Sequence, residues 1–224
     1  MNLQRTWVAV GALGLALTFA PSAFAQTSGT VSMSGSVTAA VKLTSGGAAT
    51  LSGNSGGGIT TSSAADAALA TVVNLGDVGP ANTNPIVCFT QPLFLRANAP
   101  STLSAAVTAE SFLGGAADVA KTDLGIGFIN LSDLGGANAS IATSTVAAGY
   151  ATDVCSAAFT RTLNNLATAA PGTAILSSAG PVSLRGNFNS ASNRIGLDMK
   201  MAIAPQAFSV GAFSATVTFT LTSP

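Results

Sequence analysis

The chain has 224 residues, 48% of them hydrophobic and only 7% charged, with eight basic side chains against eight acidic ones and no histidine. So few cations leave no basic surface to displace counterions from nucleic acid, and so much apolar content argues against disorder over the whole chain. Without histidine there is no Ser-His-Asp triad, no imidazole metal site and no imidazole general base.

In chain order, the first segment reads as an address. Asn2 to Thr6 carry one positive charge, Arg5, and Trp7 to Phe19 is an almost unbroken apolar run. Pro21 breaks it, and Ala23-Phe24-Ala25 supplies a small-x-small cleavage site. This layout predicts a signal peptide over residues 1–25 and a mature chain that starts at Gln26 and is exported. An uncleaved N-terminal anchor is the alternative, for which the run is short. No later apolar run has spanning length, so no stable membrane span is expected after cleavage.

From Val31, alternate residues read Val31, Met33, Gly35, Val37, Ala39, Val41 and Leu43, with Ser, Thr, Ala and Lys between them. Such period-two alternation predicts a half-buried strand. Residues 44–71 are rich in Gly, Ser, Thr and Ala and read as a long surface loop or weak edge region, with a short helix as one option for Ala64 to Ala70. Further strands are expected at Ile86 to Phe89 and Leu93 to Ala97, on either side of Pro92, and at Leu103 to Thr108 and Leu124 to Leu131. Ala137 to Ala151 and Thr162 to Ala170 carry no clear period. Val182 to Phe188 and Ile195 to Ile203 read as a hairpin around residues 189–193. The last strand places Phe213, Ala215, Val217, Phe219 and Leu221 on one face and Ser214, Thr216, Thr218, Thr220 and Thr222 on the other. Strands of this length, separated by Gly, Pro, Asn and Ser, predict an all-β antiparallel sandwich, with residues 26–224 as a single domain.

Cys88 and Cys155 are the only cysteines. In an oxidising compartment an even count favours a disulfide, and two buried free thiols are the alternative. The acids read as loop and turn residues. Asp118, Asp123 and Asp133 form no D-x-D-x-D-G calcium loop. Gly56-Gly57-Gly58 lacks the Lys-Ser/Thr ending of a phosphate loop, and Asn130-Leu-Ser and Asn138-Ala-Ser match the glycosylation sequon only formally. No cofactor, metal site or catalytic group is expected.

Three segments carry a resemblance. Gly29-Thr-Val-Ser-Met-Ser-Gly35-Ser-Val-Thr-Ala-Ala resembles the opening of chaperone–usher pilin subunits, with Met33 at an aromatic position. Val73-Asn-Leu-Gly-Asp-Val78 is similar to their L-G-x-V segment. Gly211-Ala-Phe-Ser-Ala-Thr-Val-Thr-Phe-Thr-Leu resembles their terminal strand. The resemblance implies an incomplete immunoglobulin-like, Greek-key sandwich whose missing strand comes first from a periplasmic chaperone and then from the N-terminal segment of an identical or related subunit. Val31 and Met33 are the implied donor side chains. Phe213, Ala215, Val217, Phe219 and Leu221 are the implied assembly face. The physical basis is β-augmentation, in which main-chain hydrogen bonds join an open edge and alternate side chains fill a groove.

The chain also departs from that pattern. Ser223 stands where the family places a tyrosine, and Val41-Lys42 stand where its first cysteine is usual. Membership of a related secreted sandwich family, such as the spore-coat-U-like or other fimbrial proteins, is the alternative, as is a chain that completes its own fold. The expected function is a non-enzymatic subunit of a bacterial surface fibre, passing through the periplasm to the cell surface. The rivals are a monomeric secreted adhesive or binding module and a secreted hydrolase with paired acids.

Overall fold

A computed structural model of the protein describes residues 32–156 and 158–224. The chain divides after Val37 into two units. In the first, the described residues Ser32 to Val37 carry no helix or strand, and the Met33 and Val37 side chains are exposed. Val31 lies outside the described residues.

The second unit, Thr38–Pro224, is all-β and antiparallel. Its strands are β1 (Val41–Ser45), β2 (Thr50–Ser52), β3 (Gly58–Thr61), β4 (Val72–Asn74), β5 (Val87–Ala97), β6 (Ser101–Ser111), β7 (Gly125–Asp133), β8 (Ser144–Val146), β9 (Thr173–Ser178), β10 (Ile195–Ile203) and β11 (Ser214–Thr222). One sheet runs β1-β5-β10-β7, with β2 also on β5. A second runs β11-β6-β9-β8, and β3 and β4 form a separate hairpin. Neither large sheet closes into a barrel.

The core lies between the two large sheets. Leu93, Leu95, Ile195 and Leu197 meet Leu103, Ala105, Val107 and Leu176 there, each side chain almost wholly removed from water. At about 25 cal/mol per Å² of apolar surface, each buried leucine or isoleucine contributes roughly 1.5–3 kcal/mol.

Several expectations need correction. The alternation from Val31 to Leu43 yields a strand only at Val41–Ser45, and Ser32 to Ala40 carry none. Alternation states which face would be buried once a ladder partner exists; it does not supply the partner. Residues 44–71 contain β2 and β3 as well as turns, and Ala64 to Ala70 form no helix. Pro92 does not divide two strands. β5 passes straight through it, with Pro92 opposite Asp198 of β10. The neighbour on the other side is broken there, between β1 and β2, and the Pro92 carbonyl accepts from the Gly46 N–H. The missing proline N–H therefore falls at a gap in the ladder, where it costs little. A Cβ on Gly46 would come within 2.7 Å of the Pro92 side chain, so the gap requires glycine.

The expected hairpin arm at Val182 to Phe188 is not a strand. Val182 and Ser183 both donate their N–H groups to the Ala97 carbonyl, and the chain then loops over the outer face of the first sheet.

That outer face is covered at both ends. Toward the start of β5, residues 150–156 and 158–161 lie against it, and Cys155 is bonded to Cys88 with 5.4 Å between Cα atoms. Val154 is buried in the same loop. Gly127 of β7 permits the approach, since a Cβ there would sit 2.0 Å from the Thr152 carbonyl oxygen. Toward the end of β5, the Asp66 turn and residues 187–193 cover Arg96.

Candidate functional site: the edge of the terminal strand

β11 is nine residues long and pairs along its whole length with β6, from Ser214 opposite Ser111 to Thr222 opposite Thr102. Among the described residues its other side has no ladder partner. β1 is likewise the outermost strand of its own sheet, and the two edges approach each other along one side of the sandwich.

The five residues of the expected assembly face, Phe213, Ala215, Val217, Phe219 and Leu221, are all half-buried and pack against the core. Their partners on β6, such as Leu103, Ala105 and Val107, are fully buried. The shortfall is therefore on the open side. Val41 and Leu43 on β1 are half-buried too. Phe219 reaches across to meet the Phe128 ring edge-on at 6.1 Å, and Phe213 stacks on Phe112 at 6.1 Å. The opposite face of β11 is hydroxyl-lined, with Thr218 bonded to Thr108 at 2.7 Å. Long edges with one apolar face and free main-chain groups are templates for another strand.

Met33 is 93% exposed in the first unit, and Val31 falls outside the described residues. The five residues of the expected assembly face fall in one row, and of the expected donor pair only Met33 is described.

The acids are tied into local contacts. Asp77, Asp118, Asp123 and Asp133 each accept a backbone N–H in their own turn. Asp153 pairs with Lys200 at 2.8 Å. Asp198 accepts from Asn130, whose backbone is in the left-handed region. No group of three or more His, Cys, Asp or Glu side chains could hold a metal among the described residues. A wide groove of about 550 Å³ beside the disulfide is lined by Pro85, Ile86, Cys155, Ser156, Ala158, Phe159 and Ala204, with no ionisable group.

One cluster was not legible in the sequence. Arg96 is fully buried and donates to Asp66 at 2.7 Å, and Arg194 also pairs with Asp66 while lying 3.7 Å over the Phe94 ring. Partial burial pushes the Asp66 carboxyl up, but hydrogen bonds and charge from the two arginines outweigh it and hold the group below its ordinary range. Burial likewise works against the Lys200 contact at Asp153, and the net effect there is also downward. Tyr150 is shifted up by burial, against the nearby Arg161 charge, and its hydroxyl donates to the Asn165 carbonyl.

No family model, no curated protein and no solved structure matches this chain. Among the described residues no helix is long and apolar enough to cross a membrane.

Proposed function

We propose that the protein is an exported, non-enzymatic structural subunit of a bacterial surface fibre, a fimbria or pilus, with an immunoglobulin-like, Greek-key sandwich completed by strand donation. One observation carries the reading. Among the described residues β11 is bonded on one side only, and Phe213 and the four apolar side chains of β11 stop half-way to burial. A donated strand between β11 and β1 removes both deficits at once, satisfying main-chain groups and covering the apolar row. The donor is the segment around Val31 and Met33 of another copy, whose alternating side chains suit such a groove. A periplasmic chaperone fills it during transit. The Cys88–Cys155 bond suits an oxidising compartment.

Deletion of residues 26–35 tests this. The shortened chain is expected to lose polymerisation while its sandwich still folds when a synthetic peptide of residues 26–37 fills the groove. Unchanged polymerisation, or an unfolded chain that the peptide does not rescue, would sink strand donation. A well-behaved monomer in the full-length chain, with no fibre under any condition, would make the monomeric adhesive module the better reading.

A further inference from the structure

The fold sorts the sparse charges by sign along the strand axis. The start of β1, the end of β5 and the residues leading into β10 lie at one end of the sandwich. Lys42, Arg96, Arg185 and Arg194 gather there, against the carboxylates Asp66 and Asp133. The opposite end is built from the loops that precede β5, follow β6 and join β10 to β11, tied together by the Gln206-to-Val78 and Ser209-to-Ala117 hydrogen bonds. Asp77, Glu110, Asp118 and Asp123 gather at that end, against Lys121 alone. Of the remaining charged side chains of the sandwich, Asp153 pairs with Lys200, Asp198 accepts from Asn130, and Arg161 is set in from the acidic end, its carbonyl accepting from the Ile126 N–H and its guanidinium over the Tyr150 ring.

Each end also exposes large apolar side chains. Leu134 and Leu184 stand 45% and 46% exposed at the cationic end, while Leu113 is 60% exposed and Val210 fully exposed at the acidic end. Exposed apolar side chains together with charged groups are the composition of a protein–protein contact.

We propose that the two ends are complementary docking faces, and that each takes the opposite end of a second copy of this chain. This deepens the fibre reading, on which it rests for its biological setting. Like ends repel, so a two-fold dimer through either end is disfavoured. Opposite ends attract, and such a head-to-tail contact does not close on itself but propagates as a linear stack. The exposed leucines and Val210 supply the contact area, and the charges set its direction. Among the described residues Lys42, whose ammonium donates to Asn189 at 3.1 Å, and Arg185 are the cations of that end without a carboxylate partner, since Asp66 already engages Arg96 and Arg194. Asp77 and Asp118 are their available counterparts, since Glu110 pairs with Lys121 at 3.0 Å.

A charge-swap experiment on the full exported chain tests this by sedimentation velocity. One variant carries Lys42→Glu and Arg185→Glu, the other Asp77→Lys and Asp118→Lys. The unaltered chain is expected to associate reversibly at low salt and to dissociate at about 1 M, where the screening length falls to roughly 3 Å. Each variant alone should associate at least about tenfold more weakly, and an equimolar mixture should recover the association, because only unlike variants then present opposite charges. Variants that associate like the unaltered chain, or a mixture of folded variants that stays dissociated, overturn the proposal. If a reversed chain misfolds, Asp77→Asn with Asp118→Asn keeps an oxygen for the Gly79 and Gly115 N–H groups; salt-sensitive association unchanged in that variant also overturns it. A salt-resistant polymer formed equally by all chains sinks docking and leaves strand donation standing. Salt-reversible, swap-sensitive association without any salt-resistant polymer does the reverse.

Discussion

Phe219 of β11 meets Phe128 of β7 edge-on across the sandwich, with ring centroids 6.1 Å apart. Phe128 is fully buried, so this contact ties the outermost strand of one sheet to the interior face of the other. Thr218, one residue earlier, points the opposite way and is exposed. Phe219→Asp is therefore expected to cost about 3 kcal/mol, and Thr218→Asp about 1 kcal/mol or less, the latter through loss of the Thr108 hydroxyl contact. Urea melts of the two variants compare them directly. Equal losses would mean that the two faces of β11 are wrongly assigned.

The disulfide closes a loop between residues 67 apart in sequence. Removing it by Cys88→Ala with Cys155→Ala should lower stability by about 4 kcal/mol in the chain-entropy account. The reduced natural chain should melt with the double variant. A midpoint unmoved by reductant would show that Val154 and the Asp153–Lys200 pair hold residues 150–156 without the bond.

Asp66 and Asp153 both titrate below the ordinary 3.8. A carboxyl depressed in the folded state contributes stability that is full above its unfolded value and is lost as pH falls through its folded value. The acid limb of the stability curve should therefore begin near pH 4 and steepen below it. Asp66→Asn should flatten that limb. At pH 7 it should also cost about 2 kcal/mol, because the buried Arg96 charge loses its carboxylate. A stability curve whose acid limb is the same in both proteins would count against the assignment.

The strands with one clean apolar face were legible in the sequence. The last strand was one, because from Phe213 to Thr222 uniformly apolar residues alternate with hydroxyl side chains. Arg96 was not legible. In Leu93-Phe94-Leu95-Arg96-Ala97 an arginine between core residues reads as solvent-facing, yet the outer face of that sheet is roofed by residues distant in sequence. Its partner Asp66 is 30 positions away. The one available hint was Phe94, an aromatic on the supposedly wet face. The β11 edge was legible as an apolar row. That it stays half-covered was not, because alternation reports a face and not what lies over it. The charge polarity of the two ends was equally hidden, since Lys42, Arg185 and Arg194 become neighbours only through the strand order.

The one-sided bonding of β11 has a counterpart in amide exchange. Main-chain N–H groups alternate in direction along a strand, so every second β11 amide points at β6 and the others point into the open groove. Protons on the second set should exchange with deuterium at rates close to those of a loop, without any opening of the sandwich. Those of β5 and β10, central in their sheet and covered on both faces, should exchange only through global unfolding. A filled groove would erase the alternation, so the protection pattern of this single strand distinguishes an open subunit from a completed one inside an assembly.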